Sequence, residues 1–336
     1  MRRGSDCENR ARRGFGLWQD NPAANDQGAI ADISNGQIFL QKSSGTIQYY
    51  LQAGVYNFPS LGVSSISTAD TLTNFYGPLP MAYLKIVPSS QFSFQAGKLP
   101  TMIGAEDTFS FQNINIERGL LWNQENAITH GVQVNYSGKK LSSSLSWGDG
   151  FYSNRWNWLT GSLTYTFNAA NSLGFAAGGN LGHTQYTTTA TPAAQNNSVI
   201  YNLIYTHTAK SWMIQPYFQY TYVPSYREIG IGRATSTQGE AVLGYYSLAH
   251  HVSLGGRFEY ISSTGSAANN SANLLYGAGS NATSITITPT YQKNMFFARG
   301  EFSYVHTGTY TSGDAFGPNG SDSSQIRGLL EAGFLF

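Results

Sequence analysis

The sequence predicts an all-β fold: a transmembrane antiparallel β-barrel of about sixteen strands, with short periplasmic turns and long extracellular loops. Three observations carry that prediction. First, the 336 residues are only 11% charged but 14% aromatic, and mean hydropathy is −0.26. Polarity comes from Ser, Thr, Asn, Gln and Tyr, and no stretch approaches the roughly 18–20 apolar residues of a spanning helix. Second, the last residues alternate with a period of two. Phe336, Phe334, Ala332, Leu330, Gly328 and Ile326 share one face, free of charge; Leu335, Gly333, Glu331, Leu329, Arg327 and Gln325 share the other. Such a ribbon has two different environments on its faces. Third, short and long connections take turns along the chain.

The hairpins read 33–42/45–57, 80–88/91–99, 127–137/140–148, 157–168/172–186, 197–208/211–223, 238–248/251–262 and 282–292/295–306, with 325–336 closing the set. Tight turns join each pair, such as Ser43-Ser44, Gly138-Lys139 and Lys293-Asn294. The long connections are rich in Gly, Asn, Ser and Thr. If the last strand ends on the periplasmic side, one more strand must precede the first hairpin, and Gly14-Phe15-Gly16-Leu17-Trp18 is the candidate. Residues 1–13 are expected to be a disordered segment before a single barrel domain, 14–336. Pro216 and Pro289 fall mid-strand, where each removes a ladder donor, and suggest bulges. A soluble β-sandwich would also alternate, but with fewer strands.

A net charge of +1 gives no electrostatic argument for nucleic acid. The single cysteine, Cys7, excludes an internal disulfide framework and a four-cysteine metal site. No cofactor is implied. His250 and His251 point to opposite faces or sit in a turn, while His130, His183 and His207 read as interfacial, so no metal pair emerges. No G-x-S-x-G occurs, and an enzyme is not expected. Basic residues open the chain without an apolar stretch behind them, so no signal peptide is visible. For an exported barrel the expectation is a leader already removed or a miscalled start codon.

Gly97-Lys98-Leu99, then Gly104-Ala105-Glu106, then a polar segment to Gly131-Val132-Gln133-Val134-Asn135-Tyr136, resembles the OmpL-like β-barrel porin family. Trp147-Gly148-Asp149-Gly150, followed by Asn154-Arg155-Trp156-Asn157, is similar to that family's Asn-Gly-Trp-like corner, with Asp-Gly in place of Asn-Gly. The resemblance runs from about Phe15 to Phe336. It implies a porin of the bacterial outer membrane, in contact with its lipid, that passes small hydrophilic solutes or ions. The alternatives are a plugged or narrow barrel serving as adhesin, receptor or structural protein, and a soluble or fibrous surface β-protein. A homotrimer is expected only by analogy.

The connection 100–126 carries Glu106, Asp107, Glu117, Arg118 and Glu125. A loop of this length is usually functional or disordered. Its Phe109, Phe111, Ile114, Ile116, Leu120, Leu121 and Trp122 are too apolar for disorder. By resemblance it folds into the pore and narrows it; otherwise it is an extracellular cap held by its own apolar residues. Strand parity turns Lys85, Arg257, Glu259, Arg299, Glu301, Arg327 and Glu331 inward, since charge on a lipid face costs about 2–4 kcal/mol at the midplane. Two readings of these charges stand. Acidic loop side chains facing a basic strip would sort solutes by charge. Alternatively, Arg257/Glu259, Arg299/Glu301 and Arg327/Glu331 are cross-strand ion pairs that stiffen the wall.

Overall fold

The computed structural model describes residues 8–24 and 26–335. Sixteen antiparallel strands, counted among these residues, close into one barrel in which each strand pairs with its sequence neighbours. They are β1 (Glu8–Gln19), β2 (Ala29–Lys42), β3 (Ile47–Tyr56), β4 (Met81–Ile86), β5 (Phe92–Pro100), β6 (Ile128–Ser137), β7 (Leu141–Gly148) and β8 (Trp158–Asn168). Then follow β9 (Asn171–Asn180), β10 (Val199–Thr208), β11 (Trp212–Val223), β12 (Thr235–Ala249), β13 (Val252–Ser263), β14 (Asn281–Lys293), β15 (Phe296–Thr309) and β16 (Ser324–Leu335). Last strand meets first: Leu17 lies opposite Leu329 and Arg13 opposite Gly333. Closure leaves no sheet edge, which an apolar bilayer could not satisfy.

The pleat separates lipid from lumen as the alternation predicts. Trp212, Phe218, Phe302 and Phe334 are exposed on the outer surface, and Leu330 is exposed by 73%. Arg257, Arg299, Arg327, Glu259, Glu301 and Glu331 point inward and are buried. Glu240, opposite Phe218 and Tyr260, is an outward carboxylate near the outer end of β12. Phe302→Arg, which puts a cation on the lipid face, should lower stability by about 2–4 kcal/mol. Urea titration of refolding into phosphatidylcholine vesicles reads this as a lower midpoint; an unmoved midpoint would place Phe302 off the lipid face.

Several boundaries differ from the sequence reading. Strand β1 starts at Glu8, so 8–13, expected to be disordered, is instead hydrogen-bonded between β2 and β16, whose ends would otherwise stay unpaired. The rest of that segment, 1–7 with Cys7, and the terminal Phe336 lie outside the described residues. Strand β9 stops at Asn180 rather than at 186 because the Asn180 side chain ends it. Its Oδ1 accepts from the Gly182 amide at 2.5 Å, and its Nδ2 donates to the Asn196 carbonyl at 2.6 Å. Pro216 and Pro289 make no bulge: Pro216 pairs with Val242 and Pro289 with Leu254, and the register runs through both unshifted.

Candidate functional site

Residues 101–127 leave β5, cross the barrel interior and return to β6. Their apolar side chains settle on inward positions of the wall. Ile103 packs with Trp158, Ala176 and Ile200, and Ile116 with Phe15, Leu17 and Leu329. Leu120 and Leu121 join Tyr217, Leu243 and Ile261. Phe109 meets Tyr56 edge-on, ring centres 5.5 Å apart. The loop thus touches the wall from β8 round to β3, and burial of its apolar face is what draws it inside.

Charges fix its position. The Arg257 Nη1 donates to Glu106 Oε1 and to the Glu117 carbonyl, both at 2.7 Å, and its Nε stands 3.2 Å from Glu259 Oε2. Arg327 donates through Nη1 to Glu117 Oε1 and to the Ser60 carbonyl, both at 2.8 Å. From β15, Arg299 is held by Glu331 and donates to the Asn113 carbonyl at 2.9 Å. Two wall carboxylates bind the loop backbone itself. Glu301 accepts the amides of Ile116 and Glu117 at 2.5 and 3.0 Å. Glu259 accepts those of Leu120 and Leu121 at 3.0 and 3.2 Å. Charge-assisted bonds of this kind are among the strong ones, and here they are shielded from water.

Not every charge is fully served. Arg118 is buried between the rings of Trp122 and Phe58, 4.6 and 5.3 Å from their centres, and donates from Nη1 to the Thr108 carbonyl at 2.9 Å. Its Nε and Nη2 have no hydrogen-bond partner among the described residues, and burial draws the guanidinium down to about 10. Glu125 accepts the Tyr217 hydroxyl at 2.8 Å, and burial pushes its carboxyl up to about 8.

The twelve side chains singled out in the sequence therefore divide unevenly. Eight of them, Glu106, Glu117, Arg257, Glu259, Arg299, Glu301, Arg327 and Glu331, bond at the contact between loop and wall, and Arg118 and Glu125 are buried beside them, Arg118 on the Thr108 carbonyl and two rings and Glu125 on the Tyr217 hydroxyl. Asp107 is exposed and Lys85 half-exposed, apart from them. The expected cross-strand pairs are corrected. Arg299 pairs with Glu331, directly opposite on β16, and Arg327 pairs with Glu117 of the loop. Glu301 answers backbone amides rather than Arg299. Arg257 and Glu259 do approach, but along one strand.

The sequence reading missed three contributors. The connection 57–80 supplies the carbonyls of Ser60 and Val63 to Arg327. Leu61, Tyr276 and Phe316, from three different outer loops, pack together above the lumen. Phe39, Tyr50 and Tyr83 turn inward, and their parity with Gln37, Gln52 and Lys85 was the signal that could have found them. Opposite the network the lumen is neutral. Inward positions of β4–β8 carry Gln95, Gln133, Asn135, Ser144 and Ser162, with Lys85 their one charged side chain among the described residues.

A family model described as "Putative beta-barrel porin-2, OmpL-like" matches residues 8–336. Among solved structures, the anion-selective porin from Comamonas acidovorans superposes with a TM-score of 0.70 at 11% identity, covering 99% of both chains. The trimer form of OmpT, an outer membrane protein of Vibrio cholerae, gives 0.65 at 12%, again over 99% of both. The outer membrane channel DcaP of Acinetobacter baumannii gives 0.64 at 13%, over 98% of this chain and 96% of its own. At such identities the likeness is one of fold. A search of curated proteins found no sequence match.

Proposed function

The chain belongs to the OmpL-like β-barrel porin family of the bacterial outer membrane, and from that membership and the lumenal geometry we propose a diffusion channel narrowed by residues 101–127 and weakly selective for charge. The observation that carries this is the buried network: its arginines and carboxylates face one another across bonding distances, not across a water-filled gap. A transverse field needs separated, solvated charges of opposite sign. Of the twelve charged side chains singled out, Asp107 and Lys85 remain to bias ions. A solvated unit charge is worth about 1 kcal/mol at contact in water and less across a screened gap, so each favours the ion of opposite sign by at most about fivefold.

Planar bilayers test the reading. Purified protein should give discrete conductance steps and a small reversal potential across a KCl gradient, moved slightly towards anions by Asp107→Asn. Absence of steps would sink the channel; a large reversal potential would sink its weak selectivity. The apolar contact of Leu61, Leu120, Tyr276 and Phe316 across the outer side of the lumen favours a second reading, a barrel too narrow for solutes. That reading also expects no steps. The trimer form of the Vibrio protein supports a homotrimer, checked by cross-linking in native membranes.

A further inference from the structure

We propose that the lumen holds a binding track for neutral, hydroxyl-rich ring solutes of the sugar type, made by the aromatic rings of Tyr83, Tyr50 and Phe111 and backed by the buried Phe39. This rests on the channel reading and names the solute class it serves. Tyr50 and Tyr83, on neighbouring strands, stack at 5.4 Å with their planes 20° apart, and both are half-exposed to the lumen. Phe39 follows, 6.4 Å from Tyr50, and Phe111 at the loop bend lies edge-on to Phe39 at 5.5 Å. Phe111 also borders a cavity of about 270 Å³ shared with Tyr245, Ser253 and Gln292. That volume, just below the range of drug-sized pockets, suits a single sugar ring.

Three features fit such a solute better than an ion. The track's rings offer flat apolar faces against which the C–H face of a pyranose packs, as aromatic rings pack on one another. Beside them stand the partly exposed neutral amides of Gln95 and Gln133, suited to hydroxyl groups. Arg299 at the cavity is held by Glu331, and the half-exposed Lys85 beside Tyr83 is a single solvated charge worth about 1 kcal/mol, too little to favour an ion over a neutral ring. The wall next to Tyr83 is also kept clear. Gly97 stands opposite Tyr83 with φ of +140°, and a Cβ there would meet the Ala82 carbonyl oxygen at 2.2 Å. No side chain can grow over the tyrosine from that position.

The experiment is current-noise titration of reconstituted channels with glucose, and with sorbitol as the acyclic polyol lacking a ring face. Glucose should interrupt the current reversibly and saturably, and sorbitol much less. The Tyr50→Ala/Tyr83→Ala double variant should keep an open channel but bind glucose about tenfold more weakly. Tyr50→Phe/Tyr83→Phe, which retains both faces, should bind within a few fold of the parent. Should the alanine pair fail to insert, Phe111→Ala, at the far end of the track on the loop, should weaken block in the same sense. Equal block by glucose and sorbitol, or block unchanged in the alanine variants, would overturn the track. An open channel that glucose never blocks would overturn it while leaving the channel intact; no conductance at all would strike the channel reading instead.

Discussion

Arg257→Ala should free the lumenal loop and raise single-channel conductance while the barrel still inserts. The guanidinium holds the Glu106 carboxylate and the Glu117 carbonyl from one nitrogen, and the Gly119 amide is the other donor to Glu106. Its removal leaves Glu106 and Glu259 buried without their cation. Breaking a buried pair by deleting one partner costs about 3–5 kcal/mol. The strand ladder does not depend on that contact, so the cost falls on the loop, whose release lets water reach both carboxylates. Limited proteolysis should then cut within 101–127, and conductance steps should grow. Unchanged steps and an uncut loop would mean that apolar packing at Leu120, Leu121 and Ile116 suffices to hold it.

Alkaline pH should loosen the same loop from its other end. Burial pushes the Glu125 carboxyl from 4.5 up to about 8, with Glu106 and Glu259 adding to the rise and the Tyr217 hydroxyl opposing it. The folded protein thus keeps a proton that the unfolded chain has already lost. The stabilisation is fully present below about pH 4.5 and disappears as pH rises through 8, a span worth about 5 kcal/mol at one pH unit per 1.4 kcal/mol. Thermal unfolding in detergent should therefore show the midpoint falling between pH 5 and pH 9. Glu125→Gln, neutral throughout, should flatten that fall; an equal slope in the variant would assign the dependence to other groups.

Much of the barrel was legible because a strand reports its surroundings locally. Alternation in 211–222 places Trp212, Phe218 and Tyr220 on one face and Gln215 and Gln219 on the other without reference to any distant residue. The same parity turned Arg257, Arg299 and Arg327 inward, since a guanidinium in hydrocarbon is costly wherever it sits. Partners were not legible. Arg257 meets Glu106 across 151 positions and Arg327 meets Glu117 across 210, and no periodicity encodes those contacts. Pairing by nearest sequence number therefore joined Arg327 to Glu331, where the folded loop supplies Glu117. The first strand was found from Gly14-Phe15-Gly16-Leu17-Trp18, but its start was not. The arginine-rich 8–13 has no clean alternation, and it enters the sheet because β2 and β16 need a neighbour there.

Glu259 and Glu301 each clasp two consecutive amides of a segment made well over a hundred residues earlier in the chain. The clasp lies on β13 and β15, among the last strands to be synthesised. Until that final quarter of the sheet has docked, the early loop lacks these two clasps and must rest on its apolar contacts. Full anchoring of residues 101–127 thus waits on the last strands of the chain to be made.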